Sequence, residues 1–166
     1  MNRPRIKLEN TFVAKVLRIM VYSLLLISIL ALVVSYNQLP EKVPIYFNWP
    51  SKERGLGSKN ILWAAPILFG ISSLILLRLA KRPWILNYPV RITENNAKKQ
   101  YLVAALMLRL LSLLIAFTCL VLIIGSITSI DNSLSQIIQL IYNVLPFLFF
   151  GLPLFFVFKL AFAREK

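Results

Sequence analysis

Four long stretches without a charged residue constrain the fold of this chain more than any other feature of its sequence. Each contains at least 18 residues. That is enough helix, at about 1.5 Å per residue, to cross about 30 Å of hydrocarbon. The stretches are Ile19 to Tyr36, Asn60 to Leu77, Leu110 to Ile130 and Asn132 to Phe158. The sequence therefore predicts an all-α integral membrane protein with four transmembrane helices.

The charged residues lie almost entirely between these stretches. Only 15% of the residues are charged and 58% are hydrophobic, whereas soluble domains have about 25% and about 45–50%. A bilayer imposes this segregation, because a charge at its centre costs about 2.5–3.5 kcal/mol on insertion scales. We expect a single membrane domain over residues 1–166, with spans 16–36, 60–78, 102–130 and 134–160, an outer loop 37–59 and a cytoplasmic loop 79–100.

The distribution of Lys and Arg predicts the orientation of the spans. Fifteen of the basic residues lie in or beside the N-terminal segment, the loop between spans two and three, and the C-terminus, and four lie in the first loop. The positive-inside rule therefore places both termini and the middle loop in the cytoplasm. A cleaved signal peptide is the alternative for the first stretch, but its apolar region is longer than usual and Ala-x-Ala is absent before Asn37.

The net charge of +13 predicts a partner at the membrane surface. Because the basic residues flank the spans and form no separate basic domain, we expect anionic lipids on the cytoplasmic side and no nucleic acid. The chain has no His, and the four uncharged stretches contain no Asp, Glu or Lys, which argues against a proton relay or a metal channel. We find no phosphate loop, nucleophile motif or metal-ligand cluster. The sequence predicts no enzyme, catalytic residue, metal site or cofactor.

The loop between spans two and three has its own organisation. Pro83 and Pro89 interrupt helix. Thr93 is typical of an N-cap, with Glu94 in the first turn, where the helix dipole favours an acid. A helix from Glu94 to Ile130 would be about 55 Å long, so its first turns should project into the cytoplasm or lie along the headgroups.

Span four contains Pro146, Gly151 and Pro153. Proline inside a helix removes a backbone hydrogen bond and usually kinks the helix. A hinge is one interpretation; we favour a static kink, because Pro and Gly are ordinary in such helices. The phenylalanines of this span should mostly face lipid or neighbouring helices.

The outer loop contains the most unusual stretch, with two prolines four residues apart at Pro40 and Pro44. These force extended or turn geometry. Gly55 and Gly57 allow a tight turn, and Ser58 can cap span two. From the residues alone, this is a stiff loop anchored by interfacial aromatic side chains.

The same loop resembles a bacterial membrane family catalogued as domain of unknown function 1648. The family pattern is Leu-Pro-x-x-x-Pro-x-His-Phe-Asn, a turn with Gly and Asp, Gly-x-Lys and a helix with an early Pro. The outer-loop motif comprises Leu39, Pro40, Pro44, Tyr46, Phe47, Asn48, Gly57, Ser58, Lys59 and Pro66. A second, cytoplasmic motif comprises Tyr88, Pro89, Thr93, Asn96 and Tyr101.

This chain departs from the family pattern at three positions. Tyr46 stands at the family's His, Ser51 at its turn Gly and Arg54 at its turn Asp. Any metal or proton chemistry that relies on the His and Asp is therefore not expected here. What remains is a structural loop, or a loop that recognises a partner.

The resemblance also implies a function and a location. The domain occurs in SdpI-type proteins, which protect a cell from a secreted toxin and take part in signalling. It implies a non-enzymatic immunity or sensing protein in the bacterial inner membrane that binds a partner through the outer loop. The alternative is an accessory subunit of a membrane complex, docked through its basic face or fourth helix. A transporter is disfavoured because the spans lack intramembrane charge.

Overall fold

The computed structural model describes residues 3–9, 11–45, 55–128 and 132–162. Within these residues, four helices are long and apolar enough to cross a membrane, as the sequence predicts. They are α1 (Phe12–Ser35), α2 (Ala64–Leu79), α3 (Glu94–Ile127) and α4 (Asn132–Phe162). Short 3-10 helices follow α1 (Tyr36–Gln38), precede α2 (Lys59–Trp63) and lie between α2 and α3 (Pro83–Ile85).

Helix α3 is the centre of the fold. The other three helices pack mainly against it, and α1 and α2 contact each other much less than either contacts α3. In its most apolar segment α3 is 50% buried, against 28% for α1 and α2 and 17% for α4. Small buried residues, among them Ala97, Ala104 and Ala116, let neighbouring backbones approach α3 closely.

A reciprocal pair of hydrogen bonds joins α2 to α3. The Ser73 hydroxyl donates to the Ser112 carbonyl at 3.2 Å, and the Ser112 hydroxyl donates to the Ser73 carbonyl at 3.0 Å. Both serines are fully buried. Each hydroxyl therefore has a partner across the helix interface, where leaving it without one would be costly.

The N-terminus of α3 is formed as the sequence predicts. The Thr93 hydroxyl accepts from the Asn96 amide at 3.4 Å, and the Asn96 side chain accepts from the Thr93 amide at 2.9 Å. Together these two bonds form a capping box, with Glu94 in the first turn. The 34 residues of α3 make it about 51 Å long. The predicted last residues of this helix, 129 and 130, lie outside the described part of the chain.

Between α1 and α2, the chain forms two short strands, an addition to an otherwise helical fold. Strand β1 (Lys42–Ile45) pairs antiparallel with β2 (Gly55–Ser58), with Val43 opposite Gly57. Gly55 and Gly57, which the sequence suggests for a tight turn, lie in β2 instead, where they pair with Ile45 and Val43. Pro44 is tolerated because a two-stranded sheet leaves each strand an unpaired edge.

Helix α4 runs without interruption through Pro146 and Pro153. It begins at Asn132, two residues before the predicted start of span four at 134, and Asp131 lies outside the described residues. Phe156 is buried, whereas other phenylalanines of this helix are largely exposed on the isolated chain: Phe147, Phe150, Phe155, Phe158 and Phe162. A run of adjacent phenylalanines cannot all face one neighbour, because successive residues point in different directions around a helix.

Candidate functional site

The strand pair emerges from a compact base formed by the end of α1 and the start of α2. Leu39 and Val43 are buried in the same core as Leu32 of α1 and Leu62, which precedes α2. The strands are therefore attached to the helices by apolar burial as well as by the chain. We call the polar and aromatic contacts at this base, made by Tyr36, Glu41, Lys59, Asn60 and Trp63, the hairpin-base cluster.

Lys59 is the centre of the hairpin-base cluster. Its ammonium lies 3.0 Å from the Glu41 carboxylate and 5.4 Å from the centre of the Tyr36 ring. Its backbone amide donates to the Glu41 carbonyl at 3.0 Å. The lysine side chain is only 17% exposed, while that of Glu41 is 85% exposed. Because water screens the exposed carboxylate, we expect the aromatic contact to contribute at least as much as the ion pair.

Tyr36 connects the two helix ends directly. Its hydroxyl donates to the Asn60 side-chain oxygen. Its ring lies 5.8 Å from the Trp63 ring, at a tilt of 52°. The Ser58 hydroxyl accepts from the Asn60 amide at 3.4 Å, which confirms the predicted cap on the helical segment that leads into α2. The cluster thus fixes how the chain leaves α1 and enters α2.

The structure places the outer-loop motif residues in three environments. Leu39 and Pro66 are buried. Pro66 is the third residue of α2, in its first turn, where proline is tolerated. Pro40 is exposed, Pro44 and Gly57 belong to the strands, and Ser58 and Lys59 lie at the base. Tyr46, Phe47 and Asn48, together with Ser51 and Arg54, lie outside the described residues.

Sequence reasoning missed four members of the hairpin-base cluster: Tyr36, Glu41, Asn60 and Trp63. Tyr36 and Trp63 carried a usable signal, because aromatic residues commonly mark the ends of membrane spans. The Glu41–Lys59 pair carried none, since it depends on the register that places Lys42 opposite Ser58. The cluster can hold the strand pair in one orientation relative to the helices. Its hydrogen bond, ion pair and aromatic contacts are suited to binding and to structural support.

The cytoplasmic motif gathers at the opposite end of the helices. Tyr88 and Tyr101 lie 5.6 Å apart between ring centres. The Tyr88 hydroxyl donates to the Pro83 carbonyl at 2.8 Å, and the Tyr101 hydroxyl donates to the Pro4 carbonyl at 3.1 Å. Both tyrosines therefore serve to position backbone segments.

The N-terminal segment is bound to this end by Arg3, which sequence reasoning also missed. The Arg3 guanidinium lies 5.9 Å from the centre of the Tyr88 ring and donates to the carbonyls of Trp84, at 3.4 Å, and of Leu86. Burial raises the pKa of Tyr88 above its ordinary value, the neighbouring Tyr101 raises it further, and Arg3 opposes both effects. Tyr88 thus keeps its proton, and its bond to Pro83, at physiological pH.

The other three residues of the cytoplasmic motif shape the connection before α3. Thr93 and Asn96 form the capping box, and the Asn96 side-chain amide also donates to the Arg91 carbonyl at 3.0 Å. Pro89 is exposed. Tyr88, Thr93 and Asn96 thus make hydrogen bonds within the connection that enters α3, and Tyr101 bonds the N-terminal segment to α3.

In the described part of the chain, no group of three or more His, Cys, Asp or Glu residues could hold a metal ion. Cys119 is buried in the core formed by α1, α2 and α3. The chain matches no protein-family model, no curated protein and no solved structure.

Proposed function

We propose that this chain is a multi-pass protein of the bacterial inner membrane that binds a peptide, lipid or protein partner through the loop between α1 and α2. The proposal is a non-enzymatic immunity or sensing role, as in the SdpI-type proteins that its motifs resemble. In this proposal both termini face the cytoplasm and the loop faces outward.

The hairpin-base cluster is the observation that supports this proposal. A loop that only connected two spans would need no ordered base, yet here an aromatic pair, a cation over a ring and a paired set of strands fix its entry and exit. Because the base is already ordered, binding a partner costs less conformational entropy than it would with a disordered base. Residues 46–54, which include the motif residues Phe47 and Asn48, connect the two strands in the sequence.

The test is photo-crosslinking in native membranes. The photoreactive p-benzoylphenylalanine replaces Phe47 in one variant and Phe150, an exposed residue of α4, in a matched control. We expect a discrete protein or peptide adduct from position 47 and only lipid adducts from position 150. In a correctly inserted protein, the same mixture of lipid adducts at position 47 as at position 150 would refute partner binding through this loop. A single discrete lipid adduct at position 47 would identify the partner as a lipid.

A second candidate function is that of an accessory subunit docked through α4. This helix is the least buried of the four in its most apolar segment, at 17%, and it displays the exposed phenylalanines. A discrete protein adduct from position 150, with a stoichiometric subunit retained through mild-detergent purification, would favour this function over the first.

A further inference from the structure

A groove of about 400 Å³ opens between α1 and α2 at the end of the helices that also carries Arg3 and Tyr88. It exists because both helices pack on α3 and barely touch each other. Arg18 and Tyr22 of α1 line one wall, and Leu74, Ile75 and Arg78 of α2 line the other, with Lys81 just beyond α2.

The groove is divided along its length into a charged end and an apolar part. Of its three cations, Arg18 lies in the second turn of α1, Arg78 in the last turn of α2 and Lys81 just beyond α2. The side chains farther along the groove are apolar, and Ile71, which also lines it, is about 10 Å along the helix axis from Arg78. Leu74 and Ile75 are about half exposed, at 47% and 52%, so their surfaces remain available to a ligand.

The charges at the mouth of the groove favour an anion. Among the residues that line it, all three charged side chains are basic. Arg109 of α3 adds a fourth positive charge close enough to Arg18 for the two to interact. Like charges that lie close together in a membrane protein repel each other. A bound phosphate relieves that repulsion and can accept hydrogen bonds from the guanidiniums of Arg18 and Arg78.

We propose that this groove is a binding site for one anionic phospholipid. The phosphate is held by Arg18, Arg78 and Lys81, and an acyl chain lies against Tyr22, Leu74 and Ile75. The arrangement fits a lipid better than a soluble anion, because the apolar walls continue from the charged mouth into the region of the spans. It fits an anionic lipid better than a zwitterionic one, because a choline group would add a cation to a mouth that already has three.

The test is native mass spectrometry of the full chain in mild detergent, titrated separately with phosphatidylglycerol and phosphatidylcholine of the same acyl chains. We expect a one-to-one phosphatidylglycerol adduct, with binding to phosphatidylcholine weaker by about tenfold or more. Replacing Arg18, Arg78 and Lys81 together with Gln should abolish this preference. A matched control replaces the exposed Arg91, Lys98 and Lys99 with Gln, which removes the same charge outside the groove and should leave the adduct unchanged.

Two further measurements test the proposal even if the triple variant fails to fold. Ile75→Trp retains every charge but fills the apolar part of the groove, and should weaken phosphatidylglycerol binding. Glycerol 3-phosphate should fail to compete, because it carries the phosphate without the chains. Equal loss of the adduct in the control variant, an unchanged adduct in Ile75→Trp, or competition by glycerol 3-phosphate would overturn the proposal in favour of general or headgroup-only anion binding.

Discussion

At the scale of single residues, each end of the molecule is organised by one cation over a tyrosine ring. Lys59 lies over Tyr36 at one end, and Arg3 lies over Tyr88 at the other. Each pair joins segments that are distant in sequence, alongside the hydrogen bonds Tyr36–Asn60 at one end and Tyr101–Pro4 at the other. Such contacts contribute about 0.5–1 kcal/mol when exposed and about 2 kcal/mol when desolvated.

Lys59→Met should loosen the strand pair without disturbing the helices. It keeps most of the apolar stem but removes the cation from both Tyr36 and Glu41, and we expect a loss of about 1 kcal/mol in local stability. Hydrogen exchange at the Val43 and Gly57 amides measures it. Lys42→Met, on an exposed lysine of β1, is the matched control. Equal acceleration in both variants would show that the cluster contributes nothing specific.

Tyr88 should make stability depend on pH in the alkaline range. Its pKa is raised by burial from the ordinary value of 10.0, so above that pH the unfolded chain loses a proton that the folded chain keeps. Stability contributed by this group is therefore fully present below about pH 10 and is lost as the pH rises toward the folded pKa. Above pH 10, the thermal unfolding temperature of Tyr88→Phe should fall less steeply with pH than that of the wild type. Parallel curves would contradict this assignment.

At the scale of elements, α3 determines how the other helices are arranged. Its capping box starts the helix about 24 Å before the apolar stretch that begins at Leu110, and its small residues let α1, α2 and α4 pack closely. The Thr93 cap and the predicted start of α3 follow from local residue chemistry and could be predicted. The reciprocal serine bonds to α2 could not, because Ser72 and Ser73 are indistinguishable until the rotation of α2 about its axis is known.

Ser73→Ala and Ser112→Ala should each weaken the contact between α2 and α3. Each substitution removes one interhelical hydrogen bond, and such bonds contribute about 0.6 kcal/mol. The double variant should lose the sum, because the two hydroxyls donate to different carbonyls. Unfolding in mixed micelles measures the loss. Ser72→Ala, at an exposed neighbouring position, should have no effect, and a comparable loss there would contradict the role of the pair.

At the scale of the whole molecule, the two ends differ in both charge and construction. One end carries the strand pair. The other end carries the N-terminal segment. Hydrogen bonds from Arg3 hold this segment, and Leu8 packs against the core cluster of Ala80, Ala105 and Leu108. The groove between α1 and α2 opens at this second, more basic end. In the orientation that we propose, the groove lies in the cytoplasmic leaflet.

Cysteine labelling tests that orientation. Cys119 is buried, so it can be retained or replaced by Ser as a background. A membrane-impermeant maleimide should label Gln38→Cys in intact spheroplasts and should label Lys98→Cys only after the membrane is permeabilised. Both positions are exposed, so accessibility within the protein is matched. The reverse pattern would invert the topology and the assignment of the strand pair to the outer face.

The sequence by itself determined the number of apolar helices, the start of α3 and the segregation of charge between helix ends. These follow from local rules, since the length of an apolar run and the chemistry of a cap act over a few neighbouring residues. Only the tertiary structure decided that Glu41 meets Lys59, that Arg3 reaches Tyr88 and that Arg18 faces Arg78 across a groove. Each of these depends on the strand register or on the rotation of one helix against another, which packing of the whole chain sets.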